Sequence, residues 1–152
     1  MVLVDNGVTQ TSAPVQIQPV APALFVINDM DIAAATAIRV VIPTSLQSPV
    51  TVFQCVDTPG SCRLIAIDPG IDAPVYLSFY GTGISHRSSL ANVAVTIGGV
   101  SLPAMYAGSQ GQFPGLDQVN VPLPLSLRDG GIVNVTVTVD GVTSNAVKIE
   151  IM

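Results

Sequence analysis

The stretch "IVNVTVTVD", residues 132–140, alternates apolar and polar side chains at every step. Val133, Val135, Val137 and Val139 fall on one side of an extended chain, and Asn134, Thr136 and Thr138 fall on the other. A repeat of two is the period of a half-buried β-strand, and a helix would scatter those valines around its axis. The pattern returns in "PVYLSFYG", where Val75, Leu77 and Phe79 oppose Tyr76, Ser78 and Tyr80, and in "NVAVTIGG", which aligns Val93, Val95 and Ile97. Strands of this kind must each bury one face, which predicts an all-β chain folded as a two-layer sandwich. Further strands are expected at 13–19, 23–28, 36–42, 49–55, 63–67, 102–107, 116–121 and 145–151.

Turn chemistry agrees. Gly98-Gly99 and Asp140-Gly141 supply the positive-φ positions that tight hairpins need. Only "DMDIAAATAIRV" carries enough alanine to suggest a helix, and its β-branched tail returns it to strand, so one short helical turn is expected near residues 30–35. Many short strands between regular turn signals predict an immunoglobulin-like β-sandwich. The chain has no tryptophan, so a tryptophan-centred core of the antibody type is excluded.

Composition narrows the function. With 49% apolar and 10% charged residues, the chain is too hydrophobic for disorder. Its apolar runs, such as "APALFVI" and "IRVVIP", are far shorter than the roughly 20 residues of a helical membrane span. A net charge of −5 with only five basic residues argues against nucleic acid and anionic membrane surfaces as partners. Met1 is followed by "VLVDNG", with no basic n-region or apolar h-region, so a secreted origin would make this chain a mature fragment.

Cys55 and Cys62 flank the turn-like "TPG" in "CVDTPGSC". A disulfide closing a hairpin loop is the natural reading and implies an oxidising compartment. Two free thiols are the alternative, and a metal site would need further ligands, which the single histidine, His86, does not obviously supply.

No catalytic motif stands out, and no cofactor is expected. His86 lies among Ser85, Ser88 and Ser89, but no nucleophile elbow of the G-x-S-x-G type occurs, and an exposed loop is the plainer reading. Asn28, Asp29 and Asp31, like Asp68 and Asp72, are oxygen donors of the sort calcium uses, yet without EF-hand spacing they read first as turns. Alternation sets Leu116, Gln118 and Asn120 on one strand face and Asp117, Val119 and Val121 on the other. Asp117, Gln118 and Asn120 are therefore expected to form a structural polar network, with any buried amide hydrogen-bonded to the 106–115 loop. Lys148 could crosslink to Asn120 or Asn134 only if buried, whereas alternation turns it outward with Glu150. The sequon Asn134-Val-Thr136 lies mid-strand and matters only in a host that glycosylates. Tyr106 and Phe113, beside Gln110 and Gln112, could form a sugar-contacting loop or simply pin it.

"YGTGI" (80–84), "VTIGGV" (95–100), "MYAG" (105–108), "FPGLDQVNVPLP" (113–124) and "VTVDGVTSNAVKIEI" (137–151) follow one another in an order that resembles the C-terminal domain of large secreted proteins of Solibacter and related acidobacteria. The resemblance covers roughly residues 13 to 152, and "GLDQVNVPLP" is its most specific piece. More broadly the chain is similar to TIG/IPT modules, which are immunoglobulin-like domains. The resemblance implies a secreted or cell-surface module with no established activity.

It also gives meaning to a repeat. "VDNGVTQTSAPVQIQ" at residues 4–18 parallels "VDGVTSNAVKIEIM" at the other end. The expectation is that residues 1–20 form a strand belonging to the end of a preceding module, and residues 21–152 the immunoglobulin-like domain. Val15 and Ile17 would then dock on a sheet edge, in the same chain or in a neighbour. The function expected is that of a non-catalytic spacer or assembly domain, whose partners are neighbouring domains or copies of itself. The alternative is a carbohydrate-binding module contacting polysaccharide.

Overall fold

The computed structural model describes residues 1–27, 30–42, 44–56 and 61–152. The strands in chain order begin with β1 (Val2–Asp5), β2 (Gln10–Ala13), β3 (Ala23–Leu24), β4 (Ala35–Val41) and β5 (Leu46–Val50). They continue with β6 (Phe53–Cys55), β7 (Cys62–Leu64), β8 (Val75–Thr82), β9 (Val93–Ile97) and β10 (Val100–Pro103). The last are β11 (Tyr106–Ser109), β12 (Asp117–Leu123), β13 (Gly131–Val139), β14 (Val142–Thr143) and β15 (Val147–Ile151). Among the described residues there is no α-helix, only single 3-10 turns at Leu90–Asn92 and Leu125–Leu127.

Two larger antiparallel sheets share one core. The six-stranded sheet runs β11-β12-β8-β4-β5, with β3 also on β8. The five-stranded sheet runs β10-β9-β13-β14, with β15 on β13. Alternation decides what goes inside: Val75, Leu77 and Phe79 of β8 and Val119, Val121 and Leu123 of β12 meet Val93, Val95 and Ile97 of β9 and the valines at 135, 137 and 139. The hairpins at Gly98-Gly99 and Asp140-Gly141 have positive φ at both turn residues, the type I′ geometry whose twist matches the strands.

The "GTG" of 81–83 has a packing reason. A Cβ at Gly81 would lie 2.3 Å from the Ala23 carbonyl oxygen, and one at Gly83 would lie 2.0 Å from that of Ala21. Only glycine lets the 21–24 segment lie so close along the end of β8. Across the core, Asn145 fastens the same segment, its Oδ1 accepting from Leu24 N–H at 2.8 Å and its Nδ2 donating to Leu24 O at 3.0 Å.

Several expectations change. The single strands expected at 49–55 and 102–107 are each broken, into β5 and β6 and into β10 and β11, and the two parts lie in different sheets. The alanine-rich 30–35 stretch is not helical: Ile32 and Ala33 form bridges to Lys148 and Val26, and Ala35 and Ala37 lie buried in β4 opposite Phe79 and Leu77. Alanine is used there as a small core residue, and sheet pairing overrides its helix preference. Residues 13–19 do not form a strand either. The N-terminus instead makes its own two-stranded hairpin, β1 with β2, turning through "NG", while Val15 (49% exposed) and Ile17 (89% exposed) lie in no strand.

The disulfide is formed. Cys55 and Cys62 face each other across the small β6–β7 ribbon. The flanking bonds, Val56 N–H to Ser61 O and Ile65 N–H to Val52 O, place the cysteines at a non-hydrogen-bonded pair, where side chains approach most closely. The "TPG" turn lies outside the described residues. Because the bridge spans a sequence separation of only 7, its loss costs about 2–3 kcal/mol in the chain-entropy account. The double variant Cys55→Ser/Cys62→Ser is therefore expected to stay folded, with a lowered urea midpoint and an unchanged m-value in equilibrium unfolding.

Candidate functional site

The outward half of the alternation in the six-stranded sheet builds a continuous face. Strand β8 presents Tyr76, Ser78 and Tyr80, each half-buried between inward neighbours. Register sets Ser78 between Thr36 of β4 and Asn120 of β12, and Asn120 opposite Tyr106 of β11. Tyr80 stands opposite Gln118, and Tyr76 lies between Ile38 and Pro122. All three tyrosines of the chain stand on this face.

The polar groups of the face are ordered by one another. Gln118 Nε2 donates to Asn120 Oδ1 at 2.7 Å and reaches Ser78 Oγ at 3.5 Å. Tyr80 Oη and Thr36 Oγ1 share a hydrogen bond of 3.1 Å, and Tyr106 Oη donates to the Ser109 carbonyl at 2.5 Å. Gly108 leaves room for the Tyr106 ring: a Cβ there would lie 3.4 Å from Tyr106 Oη and 3.2 Å from Arg87 Nη1. A shallow hollow of about 440 Å³ opens between Tyr76, Tyr106, Asn120 and the apolar Ile38 and Val40.

Asp117 departs from the expected network. It is the one buried charged side chain among the described residues, 5% exposed, and it binds the 83–89 loop rather than Gln118 or Asn120. Its Oδ2 accepts from Ile84 N–H at 2.7 Å and Ser85 N–H at 3.1 Å, and its Oδ1 accepts from Ser85 Oγ. Gln118 and Asn120 bond to each other and to Ser78, not to the 106–115 backbone, because the strand turns them outward. The same loop is tied at its far end, where Asp140 accepts from Ser88 N–H at 2.8 Å and Ser88 Oγ at 2.5 Å. The Ser88 hydroxyl holds the Asp140 carboxyl below its ordinary range, with the Ser88 amide, Asn92 and Arg87 adding to it. Ser85 and Ser88 thus donate directly to carboxylates, and His86 lies exposed between them.

The remaining sequence candidates scatter. Gln110 and Gln112 bond to each other, Nε2 to Oε1 at 3.2 Å and Gln112 N–H to Gln110 Oε1 at 3.0 Å, and Phe113 is 64% exposed beside them. Tyr106 belongs to the sheet face rather than to that loop. Asp31 pairs with Lys148 at 3.4 Å, both half-exposed, and Asp29 lies outside the described residues. Asp68 meets Arg128 at 3.0 Å, and its carboxyl is held low first by the Gly70 amide. Among the described residues no three His, Cys, Asp or Glu side chains gather as a metal-holding group. A second hollow of about 430 Å³ has an apolar floor of Ile32, Leu64 and Ile132 between Arg63 and Lys148, but Arg63 donates to Gln54 and Lys148 pairs with Asp31.

Sequence reasoning missed Asn145, Ser88 with Asp140, and Arg39. Arg39 donates to Ala73 O at 3.0 Å and Asp68 O at 2.7 Å, fixing the "DPGIDA" loop. Only the Asp-Gly turn around Asp140 carried a signal, and it spoke of the turn, not of Ser88, 52 residues away. No family model, curated protein or solved structure matches the chain.

Asp117→Ala leaves two amide donors of the 83–89 loop without their acceptor and is expected to cost about 2–4 kcal/mol in urea unfolding, with Asp117→Asn costing less. For Asp140, a folded pKa below the unfolded one gives stability that is full above about pH 4 and is lost as pH falls through the folded value. Asp140→Asn is therefore expected to melt below the parent at neutral pH, and the gap should close in thermal scans taken below about pH 4.

Proposed function

We propose that the chain is a non-catalytic module of a secreted or cell-surface protein, an immunoglobulin-like sandwich of the TIG/IPT kind. It acts as a spacer and assembly unit among similar modules. Two sheets around one core give it stiffness, and the disulfide is compatible with an extracellular setting. No helix among the described residues is long and apolar enough to cross a membrane.

One observation carries the reading. The opening hairpin and the segment after it copy the closing stretch in sequence, yet their apolar residues stay exposed. Val137, Val139, Val147 and Ile149 are fully buried, whereas Val2, Val4, Val15 and Ile17 are 47%, 63%, 49% and 89% exposed. Among the described residues, the hydrogen bonds of β1, β2 and their turn stay within the hairpin, and the first backbone tie to the sheets is Ala21 N–H to Gly83 O at 3.0 Å. Residues 1–20 are on this reading the closing hairpin of a neighbouring module, and 21–152 the module itself. The copy is not complete: Ala13 stands where Asn145 stands, so the amide clip onto Leu24 is not shared. A neighbour's sheet edge would satisfy the exposed segment through main-chain hydrogen bonds while its valines cover apolar surface.

Deleting residues 1–19 is expected to change the melting temperature by less than about 2 °C, since no buried group is removed. The full chain is expected to show a concentration-dependent rise in mass by light scattering, and the deletion to abolish it. A fall beyond about 4 °C would make the hairpin part of this domain. Equal mass with and without the hairpin would end the assembly role.

A further inference from the structure

We propose that the outer face of the six-stranded sheet binds an electrically neutral polysaccharide chain, with Tyr76, Tyr80 and Tyr106 as stacking rings and Gln118 and Asn120 as the hydrogen-bonding amides. This proposal is independent of the neighbour-module reading.

The first observation is where the chain spends its aromatic rings. Its core is built from Val, Leu, Ile and Ala with Phe79, and all three tyrosines stand on one outer face, half in and half out. Such rings offer a flat apolar surface with a hydroxyl at the rim. The carbon–hydrogen side of a pyranose is the matching surface, because its weakly positive hydrogens meet the negative face of the ring.

The second is charge. The chain carries ten acidic and five basic residues, yet the outward positions of β4, β8, β11 and β12 hold none of them. Arg87, beside Tyr106 over Gly108, is at the margin. An ionic ligand would find little to pair with across this face. A ligand of many neutral hydroxyls finds Gln118, Asn120, Ser78 and the tyrosine hydroxyls.

The third is unspent hydrogen-bonding capacity in fixed positions. Gln118 Nε2 is committed to Asn120 Oδ1, which leaves Gln118 Oε1 as an acceptor and Asn120 Nδ2 as a donor on two linked amides. A donor and an acceptor on one strand suit the hydroxyls of a sugar chain, which both give and take hydrogen bonds. Both sit on a central strand, so little is lost in ordering them on binding.

Spacing sets the size of the ligand. Tyr76 and Tyr80 are four residues apart on one strand, about 13 Å, and Tyr106 lies two strands away, about 10 Å to the side. That is longer than one sugar ring and calls for a run of them. The 110–116 loop, whose amides bond to each other, is not needed.

Because the chain has no tryptophan and all its tyrosines are on this face, tyrosine emission reports from the site alone. The oxidised full chain would be titrated with barley β-glucan, xyloglucan, galactomannan and dextran, by fluorescence and by calorimetry. Binding to at least one is expected, insensitive to added salt, with Tyr80→Ala and Tyr106→Ala each weakening it about tenfold while leaving the far-UV spectrum unchanged. Tyr106, 41% exposed on an edge strand, is the substitution least able to disturb folding. No binding to any of the four would overturn the proposal, as would binding that both variants retain or that salt removes. Loss of self-association in the two variants, without any glycan binding, would reassign the face to contact between copies.

Discussion

Register in strand β8 is the constraint on which the rest depends. It pairs with β12 on one side and β4 and β3 on the other, and puts Val75, Leu77 and Phe79 into the core with Tyr76, Ser78 and Tyr80 outside. A slip of one residue against its neighbours would exchange the two sets, burying hydroxyls and exposing the largest core ring. Two other ties measure themselves against that register. The glycines at 81 and 83 admit the 21–24 backbone only at the end of β8, and Asp117 meets the 83–89 loop only because β12 is aligned with Gly81.

Charge is scarce in this chain, and several of its charged groups do a structural task. Asp117 and Asp140 hold the two ends of one loop, and Asp68, Arg39 and Arg128 hold another. Such tethers replace the loop packing that a chain with so few aromatic residues cannot supply. The exposed pairs contribute little each, since solvent screens them. The buried carboxylate is different, because its amide donors have nowhere else to turn.

What could be read from the sequence follows from the range over which each signal acts. The alternating strands at 75–82, 93–97 and 131–139 and the two glycine-bearing turns are local patterns, and the structure has them. The disulfide was legible because its cysteines flank a short turn. Alanine at 33–37 misled because propensity speaks of isolated helices, whereas Phe79 and Leu77 across the ladder decide the matter. Alternation put Asp117 on the opposite strand face from Gln118 and Asn120, as the burial pattern of β12 has it, but it did not say which face was inward or what each would touch. The single polar network expected of the three does not form. Asn145 acts on Leu24 across 121 residues, and no local pattern announces that. The tyrosine face is the same kind of case: two of its rings were visible in "VYLSFY", while the third arrives from β11 only through the register with β12.

The closing strand has a consequence for the order of events on the ribosome. Val147, Ile149 and Ile151 complete the core, and Lys148 and Ile151 are bridged by Ile32 and Ile67 from the first half of the chain. The core is therefore completed by residues that join segments far apart in sequence, contacts of the kind that slow folding. Residues 2–17, a partial copy of that closing strand, emerge from the tunnel long before it. A segment made earlier thus shares part of the sequence of the strand that closes the core, and the clip of Asn145 on Leu24 is the feature it lacks.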